Sequence, residues 1–163
     1  MREVQDTVVS IGPKNGCSAS PVRIETNSLC RTSQLILWSM RQWLRASRAP
    51  MPIYKALEDV FQMAGCEDAI PLMDETMTLL SKTACRTVIL GCTCKIHLSE
   101  DELALLTVAR LLGTGNYHQA IGVLQPLVTG PCANSFCRTF ELLIAHLARK
   151  GMRIETNPQL ALA

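Results

Sequence analysis

Residues 99–113 read SEDELALLTVARLLG. Ser99 and Glu102 stand three apart at the head of this run. At that spacing each side chain can bond the other residue's backbone N–H, which closes the start of a helix. Leu103, Leu106 and Ala109 then repeat at helical period with Arg110 in register, and Gly113 ends the run. One helix therefore has both its start and its stop written into the sequence.

The flanking segments follow the same period. Upstream, residues from about 32 to 47 place Ile36, Met40, Trp43 and Leu44 on one face before Pro50. Pro52 opens a second helix that stops at Gly65, with Ile53, Leu57, Val60, Phe61 and Ala64 as its stripe. A third helix begins near Pro71, with Glu67 and Asp68 at its positive end and Met73, Met77 and Leu80 inward. Asp74, Glu75, Glu100 and Asp101 also read as acids suited to helix starts rather than as catalytic groups. The period breaks over 81–87, and the β-prone stretch Thr87 to Leu90 closes at Gly91. Downstream, a fifth helix is expected over about 116–124, with Pro126 ending it, and a sixth over about 134–150. Phe136, Phe140, Leu143 and Leu147 form the last stripe, and Gly151 caps it.

Six short helices with short links predict an all-α compact bundle, with an irregular Cys-containing segment between the third and fourth. Gly115-Asn116-Tyr117 with Ala120, Ile121 and Leu124 suits a tight helix–helix turn. No 34-residue period extends it into a repeat array. The expected organisation is a poorly ordered segment over 1–28, a single helical domain over 29–152 and a tail over 153–163. The pentapeptide Arg23-Ile24-Glu25-Thr26-Asn27 recurs as Arg153-Ile154-Glu155-Thr156-Asn157 on the other side of the body. The two copies could pair as a small ribbon.

Composition narrows the function classes. Of the 163 residues, 48% are hydrophobic and only 4% aromatic, so the core must be aliphatic. The net charge of +2 gives no general attraction for nucleic acid. Arg41, Arg45 and Arg48 recur at helical spacing near Trp38 and Trp43. They are expected on a solvated face, with a phosphate-binding strip as the alternative. No run is long enough to span a bilayer, and residues 1–10 do not read as a signal peptide. The expectation is a cytoplasmic protein, in which eight cysteines serve as thiols or metal ligands rather than as a disulfide framework.

The densest reactive segment holds Cys85, Cys92, Cys94 and His97. Two thiolates and an imidazole suit zinc, which takes sulfur at about 2.3 Å and nitrogen at about 2.0–2.1 Å. Cys132 and Cys137 are alternative ligands if the sixth helix starts beside this loop. Two other readings apply to the same residues: small buried apolar thiols, or a redox pair formed by Cys92 with Cys94 or by Cys132 with Cys137. Cys137, near a helix start and followed by Arg138, is the expected site of a lowered thiol pKa. His118 and His146 read as structural or surface residues. Phosphate-loop, nucleophile-elbow and zinc-protease motifs are missing from the sequence.

The first helix with Met40-Arg41, the Cys92-Thr93-Cys94 loop and the run Ser99-Glu100-Asp101-Glu102-Leu103 resemble small uncharacterised Cys-containing helical proteins of sphingomonad-type alphaproteobacteria. The resemblance covers about Leu35 to Met152. It implies a bacterial cytosolic origin and carries no activity and no functional residue. Three functions are therefore expected from the residues, in order. The first is a non-enzymatic helical binding or regulatory module, pinned by a structural zinc and acting on a protein partner or on itself. The second is a thiol-based redox sensor, and the third an enzyme with a Cys nucleophile. The Met73 and Met77 stripe is assigned to core packing, with self-association as its alternative use.

Overall fold

The computed structural model describes residues 23–155. Of the segment expected to be poorly ordered, 1–28, residues 1–22 lie outside that range while 23–28 carry a bridge and a 3-10 turn; of the tail expected over 153–163, residues 156–163 lie outside it. Six α-helices make up the described body: α1 Arg31–Ser47, α2 Ile53–Ala64, α3 Ile70–Thr83, α4 Glu100–Gly113, α5 Tyr117–Leu124 and α6 Gly130–Arg149. Short 3-10 turns occupy Thr26–Ser28 and Glu67–Ala69. Among the described residues β-pairing is confined to two isolated antiparallel bridges, Glu25 with His97 and Ala84 with Val128.

The helices end where local chemistry ends them. Pro52 caps the start of α2, and Gly65 closes it in the left-handed region at φ 67°, where a side chain would cost about 1–2 kcal/mol. Ser99 and Glu102 form the full reciprocal capping box of α4. α6 begins four residues before the expected start, because Pro131 fits the first turn of a helix, where its missing N–H is not needed.

The apolar stripes meet in one continuous core. α1 packs on α2, α3 and α4, and α6 packs on α3, α4 and α5. Ile36, Met40 and Leu44 of α1, Leu57 and Phe61 of α2, and Met73, Met77 and Leu80 of α3 are all buried. Met73 and Met77 are thus core residues and offer no face for self-association. Phe136 and Phe140 meet edge to face, with ring centroids 5.5 Å apart. Trp43 Nε1 donates to Asp74 Oδ1 at 2.7 Å and ties α1 to α3.

The first copy of the repeated pentapeptide belongs to this body. Ile24 is buried, at 4% exposure. Its carbonyl accepts from the Leu98 N–H, and the Thr26 N–H donates to the Ile96 carbonyl. The first copy therefore pairs with residues 96–98, not with its repeat. In the second copy, Ile154 packs half-buried against the core, while Thr156 and Asn157 lie outside the described residues. Residues 84–99, between α3 and α4, carry the chemistry that the sequence singled out.

Candidate functional site: the Cys92–Cys94 loop and its buried clamp

The irregular segment is held from below by the first turn of α4. Asp101 is buried and accepts from the Ile89 N–H at 2.7 Å, and from Arg86 through two nitrogens at 2.6 and 3.0 Å. The Ser99 hydroxyl donates to the Ile89 carbonyl while accepting from the Glu102 N–H. That cap hydroxyl therefore secures both the helix start and the loop that precedes it.

Glu102 and Arg41 form the centre of the network. Both side chains are 0% exposed. Arg41 Nε donates to Glu102 Oε1 at 2.7 Å and Nη2 donates to Oε2 at 3.0 Å, a two-pronged pair. The carboxylate also accepts from the Gly91 N–H at 2.7 Å and the Ser99 N–H at 2.8 Å. The guanidinium donates further to the carbonyls of Lys95, at 2.7 Å, and His97, at 3.3 Å. A buried charge is tolerable only when it is paired and its remaining hydrogen-bonding capacity is largely filled; here the carboxylate accepts four bonds and four of the five guanidinium N–H groups donate.

This placement corrects the expectation for Arg41. Arg45 and Arg48 are exposed, but Arg41 is buried and belongs to no solvated strip. A signal was present in the sequence. Arg41 lies four residues after Leu37 and three before Leu44, both buried in the same stripe of α1. An arginine in an apolar stripe requires an acid partner, and Glu102 is the acid at the head of the most clearly capped helix.

The sequence-selected cysteines do not gather at one point. Cys92 and Cys94 are joined as a disulfide, with Cα atoms 5.4 Å apart. Cys92 is half-buried and Cys94 exposed. The Cys85 thiol is exposed and turns to the Pro126 carbonyl at 3.5 Å, beside the bridge that joins Ala84 to Val128. Cys132 lies half-buried in the first turn of α6. His97 gives its backbone to the loop clamp, and its Nδ1 is buried without a hydrogen-bond partner among the described residues. Among the described residues no three His, Cys, Asp or Glu side chains converge as a metal ion would need.

Cys137 is also corrected. It sits well inside α6, fully buried, and burial followed by the nearby Glu141 charge pushes its thiol up to about 11. Cys66 is shifted the same way, again chiefly by burial. Both are held as thiols and are poor nucleophiles. The sequence offered a helix start as the reason for a lowered value, but α6 begins seven residues earlier, and burial dominates. His146 is a helical residue facing the surface acid Asp68 at 3.0 Å, close enough for an ion pair but without hydrogen-bond alignment. His118 is exposed.

No protein-family model, no curated protein and no solved structure matches the chain. Among the described residues no helix is long and apolar enough to cross a membrane.

Proposed function

We propose that this chain is a non-enzymatic thiol–disulfide regulatory module whose switch is the Cys92–Cys94 pair. The observation that carries the reading is the direct bond between the two sulfurs in a loop where Cys94 is open to solvent. The buried thiols Cys66 and Cys137 contrast with it, since burial holds both in the unreactive form.

The chemistry is thiolate–disulfide exchange. In the reduced protein the Cys94 thiolate attacks a low-molecular-weight disulfide, forms a mixed disulfide and expels one thiolate. Cys92 then attacks the Cys94 sulfur and expels the second. One protein dithiol and one small disulfide become one protein disulfide and two small thiols, with two electrons passing from the protein. In a reducing cytosol the resting state is the dithiol, and an oxidising challenge closes the pair. A protein partner would read the two loop states, and Ile96, 60% exposed beside Cys94 and Lys95, supplies apolar surface at that point.

The test is equilibration of the purified chain with graded ratios of oxidised to reduced glutathione, followed by alkylation and peptide mass mapping. The expected product is one intramolecular Cys92–Cys94 linkage that opens reversibly. Two results overturn the proposal: Cys92 and Cys94 labelling as free thiols at every ratio, or a chelator-free preparation carrying about one zinc per chain that is lost in Cys92→Ser.

A further inference from the structure

Both ends of the Cys92–Cys94 loop are fastened to a single buried ion pair. Gly91 precedes the loop, and its N–H donates to Glu102. Lys95 follows the loop, and its carbonyl accepts from Arg41. The Lys95 N–H donates back to the Cys92 carbonyl at 3.0 Å, closing the turn between them. Further along, the Ile96 carbonyl and the Leu98 N–H are held by Thr26 and Ile24, so the segment leaving the loop is fixed as well. From these contacts we infer that Arg41 and Glu102 are positioning residues that set how readily Cys92 and Cys94 join, an inference that rests on the thiol–disulfide reading above.

The physical reason lies in chain reach. Two residues of extended chain span up to about 7 Å, beyond the usual Cα separation of bonded cysteines, about 4.4–6.8 Å. An unrestrained Cys-x-Cys segment must therefore bend before its sulfurs can meet. Here the segment is held at 5.4 Å. The donors and acceptors that hold it sit on Gly91 and Lys95 and on the buried pair, not on the sulfurs, so they persist when the sulfurs are reduced. Closure then proceeds from a pre-bent loop, and pre-organisation raises its effective concentration. Linkage makes the effect reciprocal. If the clamp favours the disulfide by some factor, the disulfide favours the clamped fold by the same factor.

Gly91 supplies a mild perturbation of the clamp. A Cβ there would meet Arg41 Nη2 at 3.0 Å, Arg41 Cζ at 3.2 Å and Lys95 Cδ at 3.1 Å. Gly91→Ala therefore shifts the guanidinium or the loop while leaving both charges in place.

The experiment compares the glutathione equilibrium constant of the full chain with those of Glu102→Gln, Gly91→Ala and Leu57→Val. The last is a core change on α2, outside the loop and not one of the residues that hydrogen-bond within the clamp. Stability is followed in parallel by thermal melts of oxidised and reduced samples. Glu102→Gln is expected to disfavour the disulfide about tenfold, ~30 mV for a two-electron couple. Gly91→Ala should shift it in the same direction by a smaller factor, and Leu57→Val should leave it unchanged. The melting gap between oxidised and reduced protein should narrow in the same order. If Glu102→Gln does not fold, Gly91→Ala decides the question. Equal constants in wild type and in the folded clamp variants overturn the inference. So does an equal shift in Leu57→Val, which would make the effect a general loosening. Failure of the underlying reading looks different: the wild-type pair then stays reduced at every ratio.

Discussion

Replacing Arg41 with methionine keeps an unbranched apolar stem in place of the arginine's but removes four hydrogen bonds: two to Glu102 and one each to the Lys95 and His97 carbonyls. Glu102 remains buried, with only the Gly91 and Ser99 N–H groups for company. Removing one partner of a buried pair costs about 3–5 kcal/mol. The two abandoned carbonyls add to this only as far as water fails to reach them. A loss of about 4 kcal/mol is a large share of the roughly 5–15 kcal/mol that holds a domain together. At this chain length it lowers the melting temperature by about 10 °C.

The assay is urea unfolding of wild type, Arg41→Met, Glu102→Gln and the double variant, all in the reduced state so that the disulfide does not enter the comparison. Each single change should cost several kcal/mol. The double should cost less than the sum, because the second change removes a carboxylate that the first left without its partner; a difference of about 2–3 kcal/mol is expected for groups in contact. A loss below about 1 kcal/mol for Arg41→Met, or strict additivity in the cycle, would refute the assignment of this pair as the clamp of the loop.

Two further outcomes follow from other parts of the structure. Ser99→Ala removes both the α4 cap and the bond to the Ile89 carbonyl; it should cost about 1–2 kcal/mol, measured as a shift of the urea midpoint, and a change within a few tenths would mean that water replaces the hydroxyl. The raised pKa of Cys137, about 11 against an ordinary 9.0, ties stability to alkaline pH. Because the folded value is the higher one, the stabilisation is fully present below pH 9 and is lost as pH climbs through 11. The two-unit span corresponds to about 2–3 kcal/mol. Cys137→Ala should be flatter than wild type over that window in urea melts, and parallel curves would remove the assignment.

Periodicity made most of the bundle legible. The stripes of α1, α3 and α6 name core residues that are buried, that of α2 names buried Leu57 and Phe61 with half-buried Ile53, Val60 and Ala64 beside them, and the capping box at Ser99 is present in full. Start and stop signals are local, so a single chain reveals them. What stayed hidden is long-range. Arg41 and Glu102 are 61 positions apart, and no local period links them. The pairing of Ile24 and Thr26 with residues 96–98 is equally remote, and the visible repeat pointed to the wrong partner. For the thiols, sequence distance misled in both directions. Cys85 and Cys137 looked like neighbours of a cluster or of a helix start, but the fold sends the first to Pro126 and buries the second. Cys92 and Cys94 are the pair whose meeting the chain itself makes easy, since one residue separates them.

A buried ion pair in a small helical bundle demands an explanation of its own. Apolar side chains of similar volume often serve stability as well or better, because they avoid the desolvation of two charges. That substitution is not open here. Gly91 and Ser99 present N–H groups to the carboxylate, and Lys95 and His97 present carbonyls to the guanidinium. These backbone groups sit in a segment without helix or sheet to satisfy them, and buried backbone polar groups must find partners. Leucines at positions 41 and 102 would fill the volume and leave the loop unpaired. The pair therefore serves the conformation of residues 89–99 more than it serves the core. Within that segment the residues whose chemistry depends most on a fixed conformation are Cys92 and Cys94, whose sulfurs either meet or do not. A bundle that needed only stability could have closed the gap between α3 and α4 with a shorter turn. This one spans it with an irregular segment, anchors that segment to two buried charges, and places two cysteines between the anchors.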